Sequence, residues 1–536
     1  MDARDERGHD EAIQFARALA MQVEPSSATF AAHYAAGTAQ VVWTTLVADL
    51  ETPVSVFLKV AGGRPMSFLL ESVEGGEVRG RYSIVGLEPD VIFRSSGAVA
   101  EINRTPRNNP EAFVAAAALP LQALRALIAE SRIALPDGLP PMAAGVFGYL
   151  GYDTARLMED SLGPPPPDPI GIPEVVLLRP TVVIAFDAVK DTITVVTPVR
   201  PHAGVSAEAA LAQATARLSA IVEALGRPLN KSSHALEASP ALSPSVQAGA
   251  KKERARSNTA PEDYKRMVLR AKEYIAAGDI FQVVLSQRFE APFALPPFAL
   301  YRALRRVNPS PYLFFLDCGT FAVAGSSPEI LVKTSGGTVT IRPLAGTRRR
   351  GATPNEDKAL EQELLSDPKE RAEHLMLLDL GRNDVGRVAA IGSVAVTDQF
   401  FIERFSQVMH IVSNVQGKLR GDCDALDALA AGFPAGTVSG APKVRAMQII
   451  DELEKEKRGL YAGCVGYFSA GADMDTCIVL RTALIKDGVM YVQAGAGIVA
   501  DSDPKSEQQE CINKARALFR AAEEAKRFAS AARRGQ

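Results

Sequence analysis

The sequence predicts an α+β fold in which antiparallel strands pack against helices. Short runs of alternating apolar and polar residues, typical of half-buried strands, occur in both halves of the 536-residue chain. Stretches with helical spacing of apolar residues are mixed among them. Neither a GxGxxG turn opening a strand-helix-strand unit nor a GxxxxGK[ST] loop is present, and the isolated Gly495-Ala496-Gly497 is weak evidence for a dinucleotide site. A parallel nucleotide-binding sheet is therefore disfavoured.

In the first half of the chain, the pattern predicts three strands and one helix. The strands are expected at residues 54–60, 181–186 and 192–196, where the apolar runs are short and alternating. An Ala- and Leu-rich stretch at 113–134 predicts the helix. The proline run at 164–167 indicates an exposed crossing of the chain.

The second half begins with a predicted helix. Its apolar residues recur at helical spacing from Tyr264 to Ile275, and Gly278 ends it. A strand is expected directly afterwards, at 280–289. Further strands are expected at 321–324, 338–341, 464–468, 476–483 and 489–494, with helices beginning near Lys369, Lys443 and Lys505.

Composition divides the chain into two lobes. Between 226 and 258, Pro, Ser, Ala and a charged cluster at 251–254 replace any apolar periodicity, which is typical of a linker. The predicted organisation is an N-terminal lobe at 1–225, a linker at 226–258, a C-terminal lobe at 259–522 and a tail at 523–536.

The overall composition favours a globular protein that acts on small molecules. Lys plus Arg number 59 against 62 for Asp plus Glu, a formal charge of -3, whereas nucleic-acid binders usually carry a basic excess. No stretch reaches the roughly 18 apolar residues that span a membrane, and the charged N-terminus has no signal-peptide core. The 5 cysteines include no CxxC pair, which favours reduced thiols and a cytoplasmic location.

Two helices are expected to present carboxylates toward one site. Asp-Pro-Lys sequences at 367–369 and 503–505 are typical helix starts. Two acids three residues apart share one face of each helix: Glu370 and Glu373 on the first, Glu507 and Glu510 on the second. Mg2+ accepts one or two protein carboxylates and takes further oxygens from water and an anionic substrate. Ordinary solvated helix acids, with a helix-capping role for Glu370, explain the same pattern.

Several long motifs resemble the chorismate-utilising enzymes. They occur in order as IRPLAGTR at 341–348, EHLMLLDLGRND at 373–384, VMHIVS at 408–413, FPAGTVSGAPK at 433–443 and QAGAGIV at 493–499. The resemblance covers about 259–520. It implies two large antiparallel sheets packed as a sandwich with helices outside, and an Mg2+-dependent site in a cleft.

The first half adds a regulatory motif to this resemblance. LLES at 69–72, RYSIVG at 81–86 and NPSPY at 308–312 are similar to the tryptophan-binding feedback site of the anthranilate synthases in this family. The implied inhibitor contacts are Glu71, Ser72, Pro311, Tyr312 and Leu313. Because this motif spans both halves, the two lobes are expected to interleave in one fold.

Two positions help to choose among the family's reactions. Isochorismate and salicylate synthases carry a water-activating Lys where Gln282 stands, and a neutral amide cannot act as that base. Aminodeoxychorismate synthases carry a nucleophilic Lys where Ala345 stands, and a methyl group cannot form the covalent intermediate. Both residues would also suit simple packing. Together with the tryptophan motif they favour anthranilate formation, with aminodeoxychorismate synthesis and a catalytically silent tryptophan sensor as the alternatives.

The resemblance also implies roles for individual residues. His410 would act as acid or base, with Thr437 and Gln282 beside it; Glu373 and Glu510 would hold Mg2+, with Glu370 and Glu507 in or near its shell. The implied chorismate contacts are Gly346, Thr347, Tyr461, Arg481, Gly495, Ala496, Gly497 and Lys514. Without the family context, a satisfied core residue is the more common explanation for His410. Tight turns explain the glycines, a helix cap explains Thr437, and an ion pair explains Lys514.

The implied reaction uses chorismate and ammonia. None of the 5 cysteines lies in a GxCxGxQ-like sequence, so no glutaminase domain is expected in this chain. Glutamine-dependent activity would then require a separate glutamine amidotransferase subunit, and L-tryptophan would be the feedback inhibitor.

Overall fold

The computed structural model describes residues 21–74, 78–229, 255–405 and 408–529. Most of the predicted linker, and the N-terminal segment before residue 21, lie outside the described residues. The strands in the first half are β1 (Gln40–Val47), β2 (Ser67–Glu74), β3 (Val78–Ser96), β4 (Val99–Asn103), β5 (Val114–Ala115), β6 (Gly145–Leu150), β7 (Val175–Asp187) and β8 (Thr192–Val199). Those in the second half are β9 (Arg256–Ser257), β10 (Gln282–Pro292), β11 (Tyr312–Asp317), β12 (Phe321–Ser327), β13 (Ile330–Ser335), β14 (Thr338–Ile341), β15 (Leu344–Arg349), β16 (Ala395–Arg404), β17 (Val408–Lys418), β18 (Gly440–Ala441), β19 (Cys464–Ser469), β20 (Met474–Ile478), β21 (Thr482–Lys486) and β22 (Val489–Ile498).

Helices cover the outside of the strands. They are α1 (Ser27–Ala35), α2 (Pro53–Val60), α3 (Pro120–Glu130), α4 (Ala207–Gly226), α5 (Pro261–Ala276), α6 (Pro297–Val307), α7 (Pro354–Ser366), α8 (Pro368–Gly386), α9 (Ala425–Gly432), α10 (Lys443–Leu453) and α11 (Pro504–Ala529). The last helix continues through the predicted boundary at residue 522.

The strands form two large antiparallel sheets, which confirms the predicted fold class. One sheet runs in the order β1-β8-β7-β3-β2-β11-β12-β21-β22-β10, and the other runs β6-β19-β20-β13-β14-β17 with β15 and β16 on β17. Strand β7 pairs with β6 through its first residues and with β8 through its last, so the two sheets are continuous at this corner.

The halves of the chain interleave in both sheets. Strand β2 from the first half pairs with β11 from the second, with Ser72 opposite Tyr312. Strand β6 pairs with β19 in the same way, with Phe147 opposite Tyr467. The chain therefore folds as one unit in which neither half completes a sheet alone.

Alternation along the strands separates the core into layers. On β11, Phe314 and Leu316 lie between the two sheets, together with Phe68, Phe147 and Val465. The intervening side chains on β11 point the other way, into a layer under α6 and α11. This is the packing of a sandwich with helices outside.

The prediction of a strand at 54–60 is wrong, because this segment is helix α2. Thr52 and Ser55 form a reciprocal capping pair, in which each side-chain oxygen accepts the other's backbone N–H, at 3.1 and 2.9 Å. Pro53 at the first helical position supports the same start. The short alternating run suggested a strand, but Val56 and Val60 lie on one face at helical spacing and are buried.

Two other predicted elements have different boundaries. The helix expected at 113–134 is shorter, at Pro120–Glu130, and Val114–Ala115 forms a short strand before it. The single strand expected at 476–483 is two strands, because Arg481 adopts a left-handed φ of 48° and breaks the ladder.

Candidate active site

A cavity of about 480 Å3 opens where β10 and β22 meet α8, α11 and the antiparallel strands β15 and β17. It is bordered by every predicted catalytic, substrate-binding and metal-binding residue except Ala496. Side chains alternate along β22, so the Ala496 methyl group is fully buried in the core while Gly495 and Gly497 border the cavity. The predicted substrate contact of Ala496, which its backbone would make, stays a prediction.

A β-bulge fixes the predicted histidine against the cavity wall. On β15, Gly346 and Thr347 together occupy the space opposite the single residue His410 on β17. Gly346 takes a left-handed φ of 68°, which glycine adopts without strain. His410 Nδ1 lies 2.8 Å from the Gly346 carbonyl oxygen and 3.1 Å from Thr347 Oγ1.

These contacts define the protonation of His410. A carbonyl only accepts hydrogen bonds, so Nδ1 carries the proton and Nε2 has the lone pair. Burial is the largest cause that lowers the pKa of His410, to about 4, and the charges of Arg481 and Lys514 contribute. The imidazole is therefore neutral at pH 7. Nε2 is buried without a hydrogen-bond partner among the described residues, so His410 is not a satisfied core histidine.

A buried carboxyl group that the sequence did not reveal faces the same cavity. Glu329 follows the end of β12, is 6% exposed, and lies with its two oxygens 3.1 and 3.2 Å from Thr437 Oγ1. Burial raises the pKa of Glu329 to about 8, although Thr437, a backbone N–H and nearby cations act in the opposite direction. Glu329 is thus mostly protonated at pH 7 and is a proton donor. The sequence feature that could have revealed Glu329 is its position directly before the apolar run Ile330–Val332.

Cationic and neutral donors line another part of the cavity. Arg481 borders it and forms no ion pair within the described part of the chain. Burial lowers the pKa of its guanidinium, which Glu329 partly opposes. Lys514 Nζ donates to the Gly495 carbonyl oxygen at 2.9 Å and pairs with Glu510 at 2.7 Å. Tyr461 is buried beside the Gly495 backbone. Together these groups suit an anionic ligand.

Gln282 holds one of the predicted metal carboxylates. Its Nε2 donates to Glu373 Oε1 at 3.3 Å, and its Oε1 is buried without a partner among the described residues. Gly497 leaves room for this side chain, because a Cβ at that position would lie 2.6 Å from Gln282 Nε2. No proton acceptor of sufficient basicity to activate water is present on this neutral amide.

The four residues predicted to bind the metal all border the cavity. Burial raises the pKa of Glu373, and the charges of Glu370 and Glu510 raise it further. Glu370 is paired with Arg348 at 3.0 Å. Burial also raises the pKa of Glu507. In the described residues, no group of three or more His, Cys, Asp or Glu side chains is placed to hold a metal ion by itself. A cation here would need oxygens from water and a ligand.

A second cavity, of about 640 Å3, lies between the two sheets and is bordered by all five predicted inhibitor contacts. Ser72 and Tyr312 contribute from neighbouring strands, and Ser72 Oγ donates to the Tyr82 carbonyl oxygen at 3.0 Å. Pro311 adds an apolar wall.

Two of the five residues, Glu71 and Leu313, turn their side chains away from this second cavity, and their inhibitor contacts stay predictions. The carboxylate of Glu71 is engaged by Arg305 and by the hydroxyl of Tyr301, at 2.9 Å, on α6. Leu313 packs in the same helix-facing layer. The reason is the two-residue period of strands, which puts neighbouring side chains on opposite faces.

Charged groups that the sequence analysis missed surround the second cavity. Arg81, Lys333 and Arg342 border it, and so does the partly buried Asp475, whose carboxylate lies 3.5 Å from Lys333 Nζ. Burial raises the pKa of Asp475. The cavity therefore offers groups of both signs beside apolar walls.

The two cavities share part of one wall. Pro328, Glu329 and Leu344 border both of them. The segment after β12 thus lies between the two cavities, and Glu329 is the ionisable group within it.

Comparison with known proteins identifies the family. The model of the chorismate binding enzyme family matches residues 70–520. Anthranilate synthase component 1 of Cereibacter sphaeroides is 57% identical over 507 residues, 95% of this chain and 99% of that protein. The crystal structure of anthranilate synthase component I from Streptococcus pneumoniae has a TM-score of 0.71 and 38% identity, over 88% of this chain and 98% of that one.

A more distant structure shares the fold. The menaquinone-specific isochorismate synthase from Escherichia coli superposes with a TM-score of 0.66 at 21% identity, over 93% of this chain and 100% of that one. Since the family model covers most of the sequence, the chain belongs to the chorismate binding enzyme family.

Proposed function

We propose that the chain is the chorismate-converting component of an anthranilate synthase, which forms anthranilate and pyruvate from chorismate and ammonia. The observation that carries the proposal is the pairing of a neutral base, His410, with a protonated acid, Glu329, in one cavity. The curated relatives named anthranilate synthase component 1, at up to 57% identity, support the same activity.

The reaction needs an acid and a base in different steps. Ammonia adds at C2 of chorismate while the C4 hydroxyl leaves, and the loss of pyruvate with the C2 proton then gives the aromatic ring. Protonated Glu329, bonded to Thr437, is suited to donate its proton to the departing hydroxyl. Neutral His410, with the lone pair on Nε2, is suited to accept the proton removed during the elimination.

The cavity also suits the two carboxylates of chorismate. Arg481 offers a planar guanidinium that forms no ion pair within the described residues, and Tyr461 lies on the same wall. Lys514 supplies a second positive charge. These groups would hold the substrate so that its ring lies against His410.

Mg2+ fits the acidic mouth of the cavity. Burial, and after it the charges of Glu370 and Glu510, raise the pKa of Glu373, and a divalent cation would relieve the repulsion among these carboxylates. Glu373 and Glu510 would hold the ion, with Glu370 and Glu507 bound through water. When bound, the ion would neutralise a substrate carboxylate and stabilise charge that develops on the ring.

Two positions disfavour the alternative reactions. Ala345 is 7% exposed in the cavity wall and has no nucleophilic group, which opposes aminodeoxychorismate synthesis. Gln282 is bonded to Glu373 and cannot activate water, which opposes isochorismate formation.

Ammonia is proposed to come from a separate glutamine amidotransferase subunit. None of the cysteines borders the proposed catalytic cavity, and four of the five, all but Cys423, are buried. All five are free thiols, which supports a cytoplasmic location. No helix in the described ranges is both long enough and apolar enough to span a bilayer.

The second cavity is proposed to bind L-tryptophan as a feedback inhibitor. Ser72, Pro311 and Tyr312 would contact the inhibitor, with Lys333 near its carboxylate and Asp475 near its ammonium group. The wall shared with the catalytic cavity gives a direct route for coupling, since a ligand there contacts the segment that carries the proposed acid.

The test is turnover by the purified protein. Chorismate, Mg2+ and ammonium are supplied, and anthranilate fluorescence is followed with and without tryptophan. Formation of anthranilate that tryptophan suppresses is expected. A protein that binds tryptophan without any turnover would instead be a silent sensor, and the proposed activity would be refuted.

A further inference from the structure

A buried ion pair lies behind the catalytic cavity without bordering it. Arg458 and Glu454 follow α10, and their side chains are 1% and 5% exposed. The guanidinium donates to both carboxylate oxygens, from Nε at 2.9 Å and from Nη2 at 2.6 Å. Such a two-point contact fixes the orientation of both groups.

The guanidinium also binds two backbone segments of the cavity wall. Nη1 of Arg458 donates to the Val438 carbonyl oxygen at 2.7 Å, and Nη2 donates to the Val284 carbonyl oxygen at 2.7 Å. Val438 directly follows Thr437, which contacts the proposed acid. Val284 lies on β10, two residues after Gln282. One guanidinium thus ties together the two chain segments that present these side chains.

Aromatic and polar contacts connect the Glu454–Arg458 pair to two further residues that border the cavity. The Arg458 guanidinium lies 5.5 Å from the ring centroid of Tyr461, which borders the cavity. Glu454 Oε1 accepts from the backbone N–H of Ser286 at 2.7 Å and from its hydroxyl at 3.0 Å. Ser286 Oγ in turn accepts from Nε2 of Gln493, another residue of the cavity.

We infer that the Glu454–Arg458 pair is a positioning device for catalysis, which sets the relative placement of Thr437, Gln282 and Tyr461 around the substrate. The inference rests on the proposed function. Buried ion pairs are seldom needed for stability, since apolar residues of the same volume often serve as well. A pair whose guanidinium bonds two separate backbone segments of the cavity wall is instead suited to fixing geometry, and a displacement of about 1 Å there reduces rate by about 100-fold.

The test compares one substitution at two buried arginines. Arg458→Lys keeps the charge, but a single ammonium group cannot meet Glu454 and two diverging carbonyl oxygens with the geometry of the fork. Arg179→Lys is the matched control, because Arg179 is 6% exposed, bridges Asp90 and Glu130 at 2.7 Å, and borders neither cavity. Anthranilate formation from chorismate, Mg2+ and ammonium gives kcat and KM, and thermal unfolding gives Tm.

We expect Arg458→Lys to lower kcat/KM for chorismate by about 10-fold or more, with a raised KM. The control variant should keep the wild-type KM even if its Tm falls. KM separates the two roles, because loss of folded protein lowers apparent kcat without changing KM. If Arg458→Lys does not fold, Glu454→Gln, which retains one acceptor oxygen and the side-chain volume, should show the same rise in KM.

Wild-type KM in a folded variant of the pair overturns the inference, and so does an equal rise in KM in the Arg179→Lys control. The failure of the proposed function looks different, because the wild-type protein itself would then form no anthranilate.

Discussion

The protonation of Glu329 predicts how the reaction depends on pH. With a pKa of about 8, about nine-tenths of this carboxyl group is protonated at pH 7 and about one-tenth at pH 9. If Glu329 donates the proton to the leaving hydroxyl, kcat/KM falls about 10-fold per pH unit well above pH 8. Glu329→Gln keeps the shape but removes the acid, so we expect a rate about 100-fold to 10,000-fold lower and no alkaline decline from this group.

The assay must hold the concentration of free ammonia constant, because ammonium itself deprotonates in the alkaline range. Initial rates of anthranilate fluorescence between pH 6 and pH 10, at fixed free ammonia, give the profile. Asp317→Asn is a matched control, since burial also raises the pKa of Asp317, to about 6, but this residue borders neither cavity. The control should keep the wild-type decline.

Stability gives an independent check on the same group. A carboxyl whose folded pKa is raised contributes stability that is complete below its unfolded pKa and is lost as pH rises through the folded value. As pH rises from 4.5, the ordinary pKa of this group, to its folded pKa of about 8, the free energy of unfolding of the wild type falls by ~1.4 kcal/mol per pH unit. Glu329 therefore reduces wild-type stability by roughly 5 kcal/mol over this range. Glu329→Gln should therefore become more stable relative to the wild type as pH rises from 5 to 9. A flat wild-type profile near pH 8, or undiminished turnover by Glu329→Gln, would refute the role as acid.

Three further substitutions test the other parts of the site. His410→Met should leave Tm nearly unchanged and lower kcat by about 100-fold or more, because no group then accepts the proton during elimination; undiminished anthranilate formation removes His410 from the mechanism. Glu510→Gln should abolish Mg2+-dependent turnover, measured by titration with Mg2+, and a wild-type titration curve contradicts the two-helix metal site. Ser72→Phe should fill part of the second cavity and raise the tryptophan concentration for half-inhibition by about 10-fold or more, so unchanged inhibition shows that the inhibitor binds elsewhere.

The parts of the site that depend on spacing within one helix or on a short local motif were predictable from the sequence. Glu370 and Glu373 lie three residues apart on one face of a helix, so the sequence alone places them together. The same holds for Glu507 and Glu510 on α11. His410 was expected to act as an acid or base, and its Nε2, which has no hydrogen-bond partner among the described residues, supports that expectation.

The side of a sheet on which a side chain lies, and the depth to which it is buried, were harder to predict. Glu71 and Leu313 were expected at the inhibitor, but strand register turns both side chains toward the helix layer. Segment 54–60 was expected as a strand because its apolar run is short and alternating, yet a capping pair and a proline start a helix there. Glu329 was missed because its raised pKa depends on burial by residues distant in the sequence.

The most direct measurement is the identity and ratio of the products. Purified protein is supplied with chorismate, Mg2+ and ammonium, and the products are separated by chromatography. Anthranilate and pyruvate in equal amounts, each matching the chorismate consumed, is the result that the proposed mechanism predicts. Accumulation of 4-amino-4-deoxychorismate or isochorismate without pyruvate would contradict it, because ring aromatisation by His410 would then be absent.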